Sequence, residues 1–201
     1  LNHIFAKEQR EIKDPIAIIE SPIIRSENLT HQLEYFKDKL VASRYIQEAT
    51  FSTAVTGDVI DAARGIGLKR SANSVSVFFD TNGGVNENFI PFFGIHLLAG
   101  RNFQLNDRAD VVILSRFGTE RLGFNNPEEA VGTTIYTLIN LNEDLTSWSK
   151  VEIIGVIEDY RNKPYFSFKE SSSEYAKEGR GICLTYKDFL FPRLTPERIA
   201  I

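Results

Sequence analysis

The stretch ADVVILSRFGTERLGFNNPEEAVGTTI (residues 109–135), continued by VEIIGVIEDYRNKP (residues 151–164), decides the fold class. Val111 to Leu114 is a short, wholly apolar run and predicts a buried strand. Ser115 stands where an N-cap belongs, before a helix predicted over 116–122 that Gly123 closes. Pro127 opens a second helical turn, and Glu128 and Glu129 suit its N-terminal dipole. Gly132 stops that turn. Thr133 to Ile139 and Val151 to Ile157 then read as strands, joined by a polar hairpin tip at 140–149 that carries Trp148.

Upstream, Pro15 precedes Ile16 to Ile19, a β-branched run read as a buried strand. Leu33, Phe36, Leu40 and Val41 recur at helical spacing and predict a helix over 30–42, with Glu34, Lys37, Asp38 and Lys39 on its wet face. Residues 45–55 read as a strand, 59–73 as an irregular loop, and Ser74 to Phe79 as a strand. Asp80 to Gly84 has turn chemistry. Asn86 is placed to cap a short helix over 87–93 that Gly94 closes, and Ile95 to Leu98 is extended. Ile182 to Tyr186 and 198–201 complete the set of strands. Residues 1–14 suit a helical lead-in, and 159–180 a polar loop or rim helix. Strands and short helices mixed in this way give an α+β class.

The bulk properties exclude several roles. The chain of 201 residues carries a net charge of −4, so no broad nucleic-acid surface is expected. Arg64, Lys69 and Arg70 form the densest basic patch and read as a solvated loop. No apolar run is long enough to span a bilayer. Leu1 to Ile16 is too polar for a signal sequence, and the lack of any Met predicts a piece of a longer chain.

Reactive constellations are equally scarce. His3, His31 and His96 are scattered, which argues against zinc, and no other metal or cofactor is expected. Asp80 to Glu87 lacks the acidic spacing of a calcium loop. Gly65-Ile-Gly67 is too weak for a phosphate-binding fingerprint. The neighbouring carboxylates Glu128–Glu129 and Glu158–Asp159 do not face each other across a substrate. Cys183, the sole cysteine, reads as a core residue. No catalytic residue is therefore assigned, and the chain reads as a non-enzyme. Phe78, Phe79, Phe89, Phe92 and Phe93 cluster in sequence, and Phe89, Phe92 and Phe93, at helical spacing, read as core. Tyr160, Tyr165, Phe166 and Phe168 fall in a polar segment and are the candidate partner contacts.

The order of these pieces resembles the MacB-like periplasmic core domain of FtsX/MacB-type ABC-transporter permeases. The similarity runs through the helix Leu33 to Leu40, the strand at 45–52 and Ala54 to Gly57. It continues through Val85 to Phe103 with its Gly100-Arg101, Asp110 to Ser115, Leu122 to Gly132, and Glu152 to Tyr160. The chain departs from the pattern at Thr56, where proline is usual, at Tyr160-Arg161, and in the segments 140–149 and 161–180.

The resemblance implies a porter-like βαβ layer formed by both chain ends (1–73 and 158–201) plus an inserted, smaller mixed α/β subdomain (74–157). It also implies a location on the periplasmic side of the bacterial inner membrane. The partners it implies are membrane helices of the same permease, an ATPase subunit, and a periplasmic or outer-membrane protein. The role implied is to relay ATP-driven motion. The isolated domain is expected to be a monomer. The alternatives are a stand-alone module that binds a ligand or peptide through the aromatics at 160–168, and an enzyme whose residues converge only in space.

Overall fold

The computed structural model describes residues 16–20, 29–52, 65–138, 148–160, 181–186 and 198–201. The predicted lead-in over 1–14, the turn at 56–58, the hairpin tip at 140–147 and the segment 161–180 lie outside the described residues.

Both chain ends build one small layer. β1 (Ile18–Glu20) and β2 (Thr50–Ser52) flank β10 (Arg198–Ala200), and both run antiparallel to it. β1 and β2 are therefore parallel to each other, and α1 (Leu29–Val41) connects them. α1 turns Leu33, Phe36 and Leu40 toward Phe51, Ile19 and Ile201, as its apolar spacing requires. The predicted strand over 45–55 is shorter than expected. Residues 42–48 make turns, where Ser43 and Ile46 amides donate to the Leu40 and Ser43 carbonyls.

The remaining strands form a seven-stranded mixed sheet in the order β5-β8-β6-β9-β4-β3-β7. They are β3 (Gly65–Lys69), β4 (Val77–Val85), β5 (Leu97–Gly100), β6 (Val111–Ser115), β7 (Thr134–Leu138), β8 (Trp148–Ile157) and β9 (Gly181–Tyr186). β8 pairs with β6 along one edge. Its other edge takes β7 over residues 148–152 and β5 over residues 155–157. The β7–β8 pairing closes the sheet on itself, which leaves no free edge around that ring. β3 and β9 lie outside the interval 74–157, yet they are hydrogen-bonded into this sheet.

Alternation along each strand sorts two cores. Val112, Leu114, Ile66, Leu68, Phe79 and Ile135 belong to one cluster, which Leu122, Phe124 and Ala130 complete. Val111, Ile113, Ile182, Leu184 and Tyr186 belong to the other, covered by Phe89, Ile90 and Phe103. The helices α3 (Arg116–Arg121) and α4 (Pro127–Ala130) form as expected. Ser115 accepts the Gly118 amide, Asn126 accepts the Glu129 amide, and Pro127 sits in the first turn.

Three expectations are corrected. Residues 65–69 form a strand and not a loop, because Ile66 and Leu68 alternate inward while glycine occupies the outward position 67. Residues 80–84 continue β4 instead of turning. β3 and β9 pair with both its edges, and a register shift between Asn82 and Val85 absorbs the glycines. Asn86 is not the cap of α2 (Phe89–Phe92). The cap position falls on Asn88, which makes no side-chain cap bond, and Asn86 is fully buried elsewhere.

β8 carries a bulge at the centre of the sheet. Val112 faces Ile153 and Ile113 faces Gly155, so Ile154 is the extra residue. Parity changes there: Val151, Ile153 and Val156 point into one core, and Ile154 and Ile157 into the other. The Ile154 carbonyl accepts the Arg101 amide at 2.9 Å. A Cβ on Gly100 (φ +74) would stand 2.3 Å from that carbonyl oxygen, and one on Gly155 would stand 2.5 Å from the Arg101 oxygen.

Both obstacles are backbone, so neither yields as a side chain would. Gly100→Ala is expected to lower stability by at least about 2 kcal/mol, combining left-handed strain with the clash. Gly132→Ala has the same strain (φ +78) but nothing within 4 Å. It is expected to lose only about 1 kcal/mol. Urea midpoints of the two variants check this ordering; equal losses would show that the crossing tolerates a side chain.

Candidate functional site

Nothing among the described residues assembles reactive groups. Cys183 is fully buried, and burial pushes its thiol far above the ordinary range, so it stays protonated and inert. No cluster of three metal-ligating side chains occurs among the described residues, and His3 lies outside them. Three of the four neighbouring carboxylates, Glu129, Glu158 and Asp159, have structural partners. Glu129 accepts from the Asn125 amide at 3.0 Å and from Arg70 at 2.6 Å, and the first of these, then the second, hold its carboxyl below the usual range. Asp159 accepts the Phe117 amide at 2.8 Å, and Glu158 accepts the His96 amide at 3.0 Å. No helix among the described residues is long and apolar enough to cross a membrane.

The expected basic loop is dispersed by the fold. Lys69 lies in β3 with its ammonium 4.2 Å from the Trp148 ring centre. Arg70 stacks on Phe124 at 4.1 Å and reaches the Gly123 carbonyl. Arg64 is outside the described residues. Of the candidate contacts, Tyr160 is half-buried and packs against the cluster of Ile113 and Leu184. Tyr165, Phe166 and Phe168 lie outside the described residues. Phe79 and Phe89 are core, Phe92 and Phe93 are half-buried, and Phe78 is exposed.

The arrangement that sequence reading missed is a polar seam between the two sheets. The Thr50 hydroxyl, on β2, donates to Asn86 Oδ1 at 2.6 Å, and both side chains are fully buried. Asn86 Nδ2 has no hydrogen-bond partner among the described residues. Next to it, the Glu87 carbonyl accepts from Asn102 Nδ2 at 2.8 Å and its carboxylate accepts from the Tyr186 hydroxyl at 3.3 Å. Lys37 of α1 stands 4.0 Å from that carboxylate and 2.7 Å from Glu34. Residues from α1 and β2 thus meet residues from the end of β4, the segment after β5, and β9. The only sequence signal was Asn86 itself, which a helix cap already explained.

The segment after β5 is fixed independently. Arg101 and Asp107 form a two-pronged ion pair at 2.7 Å, and the Gln104 amide also donates to Asp107 at 2.8 Å. The Arg101 bonds first, and then the Gln104 amide, hold the Asp107 carboxyl below its usual range. That contribution is present at neutral pH and is lost as pH falls through the depressed value.

No family model matches the sequence, and no curated protein matches it. Solved structures do. The periplasmic region of MacB from Actinobacillus actinomycetemcomitans is similar at 17% identity and a TM-score of 0.53, over 92% of this chain and 72% of that one. This chain has the MacB-like periplasmic fold. The extracellular domain of the noncanonic ABC-type transporter YknZ from Gram-positive bacteria is similar at 14% identity and a TM-score of 0.52, over 92% of this chain and 82% of that one. Several segments that carried the sequence resemblance occupy structural positions in this MacB-like fold. Gly100-Arg101 and Ile153 to Val156 meet at the β8 bulge, and Leu122 to Gly132 covers the core through α4.

Thr50→Val keeps the shape of the side chain and removes the seam's buried donor, leaving Asn86 without its partner. The expected loss is about 1–3 kcal/mol, read as a lower melting temperature. Thr50→Ser, which retains the hydroxyl, is expected to fall between Thr50→Val and the parent. Equal melting of parent and Thr50→Val would remove the bond from the account.

Proposed function

We propose that this chain is a non-catalytic, extracytoplasmic domain of an ABC-transporter permease, placed on the periplasmic side of the bacterial inner membrane. The likeness over 92% of the chain to the periplasmic region of MacB carries this reading. Its work is mechanical: an ATPase partner drives membrane helices of the same permease, and this domain relays the motion to a substrate or to a periplasmic or outer-membrane protein.

The three-stranded layer supplies the porter-like part, and residues 74–157 supply most of the inserted part, with β3 and β9 completing its sheet. The seam at Thr50, Asn86 and Glu87 joins the two. Tyr160, Tyr165, Phe166 and Phe168 are assigned to contact with the partner protein. The domain alone is a monomer, because dimer contacts belong to the membrane part.

Protease protection of the full-length protein in intact cells tests the placement. Externally added protease is expected to cut within this domain in spheroplasts with an unbroken inner membrane. Cleavage only after the inner membrane is permeabilised would place the domain in the cytoplasm and overturn the proposal.

A further inference from the structure

We propose that the outer face of β3, β7 and the start of β8 docks an extended, acidic segment of a partner protein. The register builds two rows across these strands. Lys69 pairs with Tyr136, and Tyr136 pairs with Lys150, so a lysine flanks the tyrosine on each side. Tyr136 lies between the fully buried Ile135 and Thr137, and alternation turns it to the outer face with the two lysines. The second row holds Phe78, which pairs with Gly67, and Trp148, which pairs with Leu138 and stands near Gly67.

Glycine at position 67 brings the aromatic groups together. A Cβ there would meet Ser76 Oγ at 2.8 Å and lie 3.9 Å from Trp148 and 4.0 Å from Phe78, so Ser76 and both rings border the buried glycine. Phe78 is 57% exposed, a cost in contact with water that a docked apolar side chain relieves. Lys69 sits on the Trp148 ring, and neither Lys69 nor Lys150 forms an ion pair among the described residues. Two cations that form no ion pair among the described residues, beside an aromatic surface, complement a carboxylate next to an apolar residue.

The spacing defines the ligand further. The rows are two residues apart along the strands, about 7 Å. An extended partner repeats its side chains at that same interval, so a Glu or Asp and an aromatic residue two positions apart engage both rows. An anionic membrane is the weaker fit, since lipid-binding surfaces gather about 4–8 basic residues and this face offers two.

Trp148 is the sole tryptophan, so its emission reports on this surface directly. The probe is a synthetic peptide of repeated Thr-Glu-Thr-Phe, compared with repeated Thr-Lys-Thr-Phe and with phosphatidylglycerol vesicles. A saturable change with the glutamate peptide, weakened by salt, is expected, with about a tenfold loss of affinity in Lys150→Glu. Lys39→Glu, on α1, is expected to bind as the parent does. Circular dichroism melts of both variants separate lost binding from lost folding. Equal responses to both peptides, no response to either, or a response to vesicles alone would overturn the proposal.

Discussion

The backbone crossing at Gly100 and Gly155 is the constraint on which the larger sheet depends. β8 must serve β6 along one edge and two different strands along the other. The bulge at Ile154 supplies the bend, and it changes which core each following residue faces. β5 then passes so near that the Ile154 and Arg101 carbonyls occupy the space of two side chains. A residue with a Cβ at either position pushes β5 off β8, and with it the segment that the Arg101–Asp107 pair holds. Closure of the sheet through β7 follows from the other half of the same long strand.

The three-stranded layer meets this closed sheet at the polar seam. Among the described residues, its own cluster comprises Leu33 and Phe51 with Ile19, Phe36, Leu40 and Ile201. At the seam, Thr50 and Asn86 replace apolar packing with a directional bond. Such a bond fixes one relative position and contributes little elsewhere.

The sequence disclosed local chemistry better than long-range pairing. Ser115, Pro127 and the run Val111 to Leu114 act through neighbours a few residues away, so their roles were legible. The MacB-like architecture was legible as well, from the order of such local pieces. β3 was hidden because Gly65 and Gly67 mimic a loop, while the strand partners that order them lie at 77–80 and 136–137. The run Asp80 to Gly84 was misread for the same reason: β9 pairs with residues 80–82 and β3 with Asp80, while the register shift takes up the glycines. Of the candidate contacts, only Tyr160 lies among the described residues, and the Thr50–Asn86 seam left no local trace because its partners are 36 residues apart.

In the proposed function, the closed sheet keeps its shape while the three-stranded layer carries motion imposed by an ATPase. Hydrogen–deuterium exchange of the full-length permease with its ATPase, compared with and without bound ATP, tests it most directly. The account predicts altered exchange in α1, β2 and the Asn86–Glu87 segment, with β6, β8 and β9 unchanged between the two states. Identical exchange throughout this chain in both nucleotide states would contradict it.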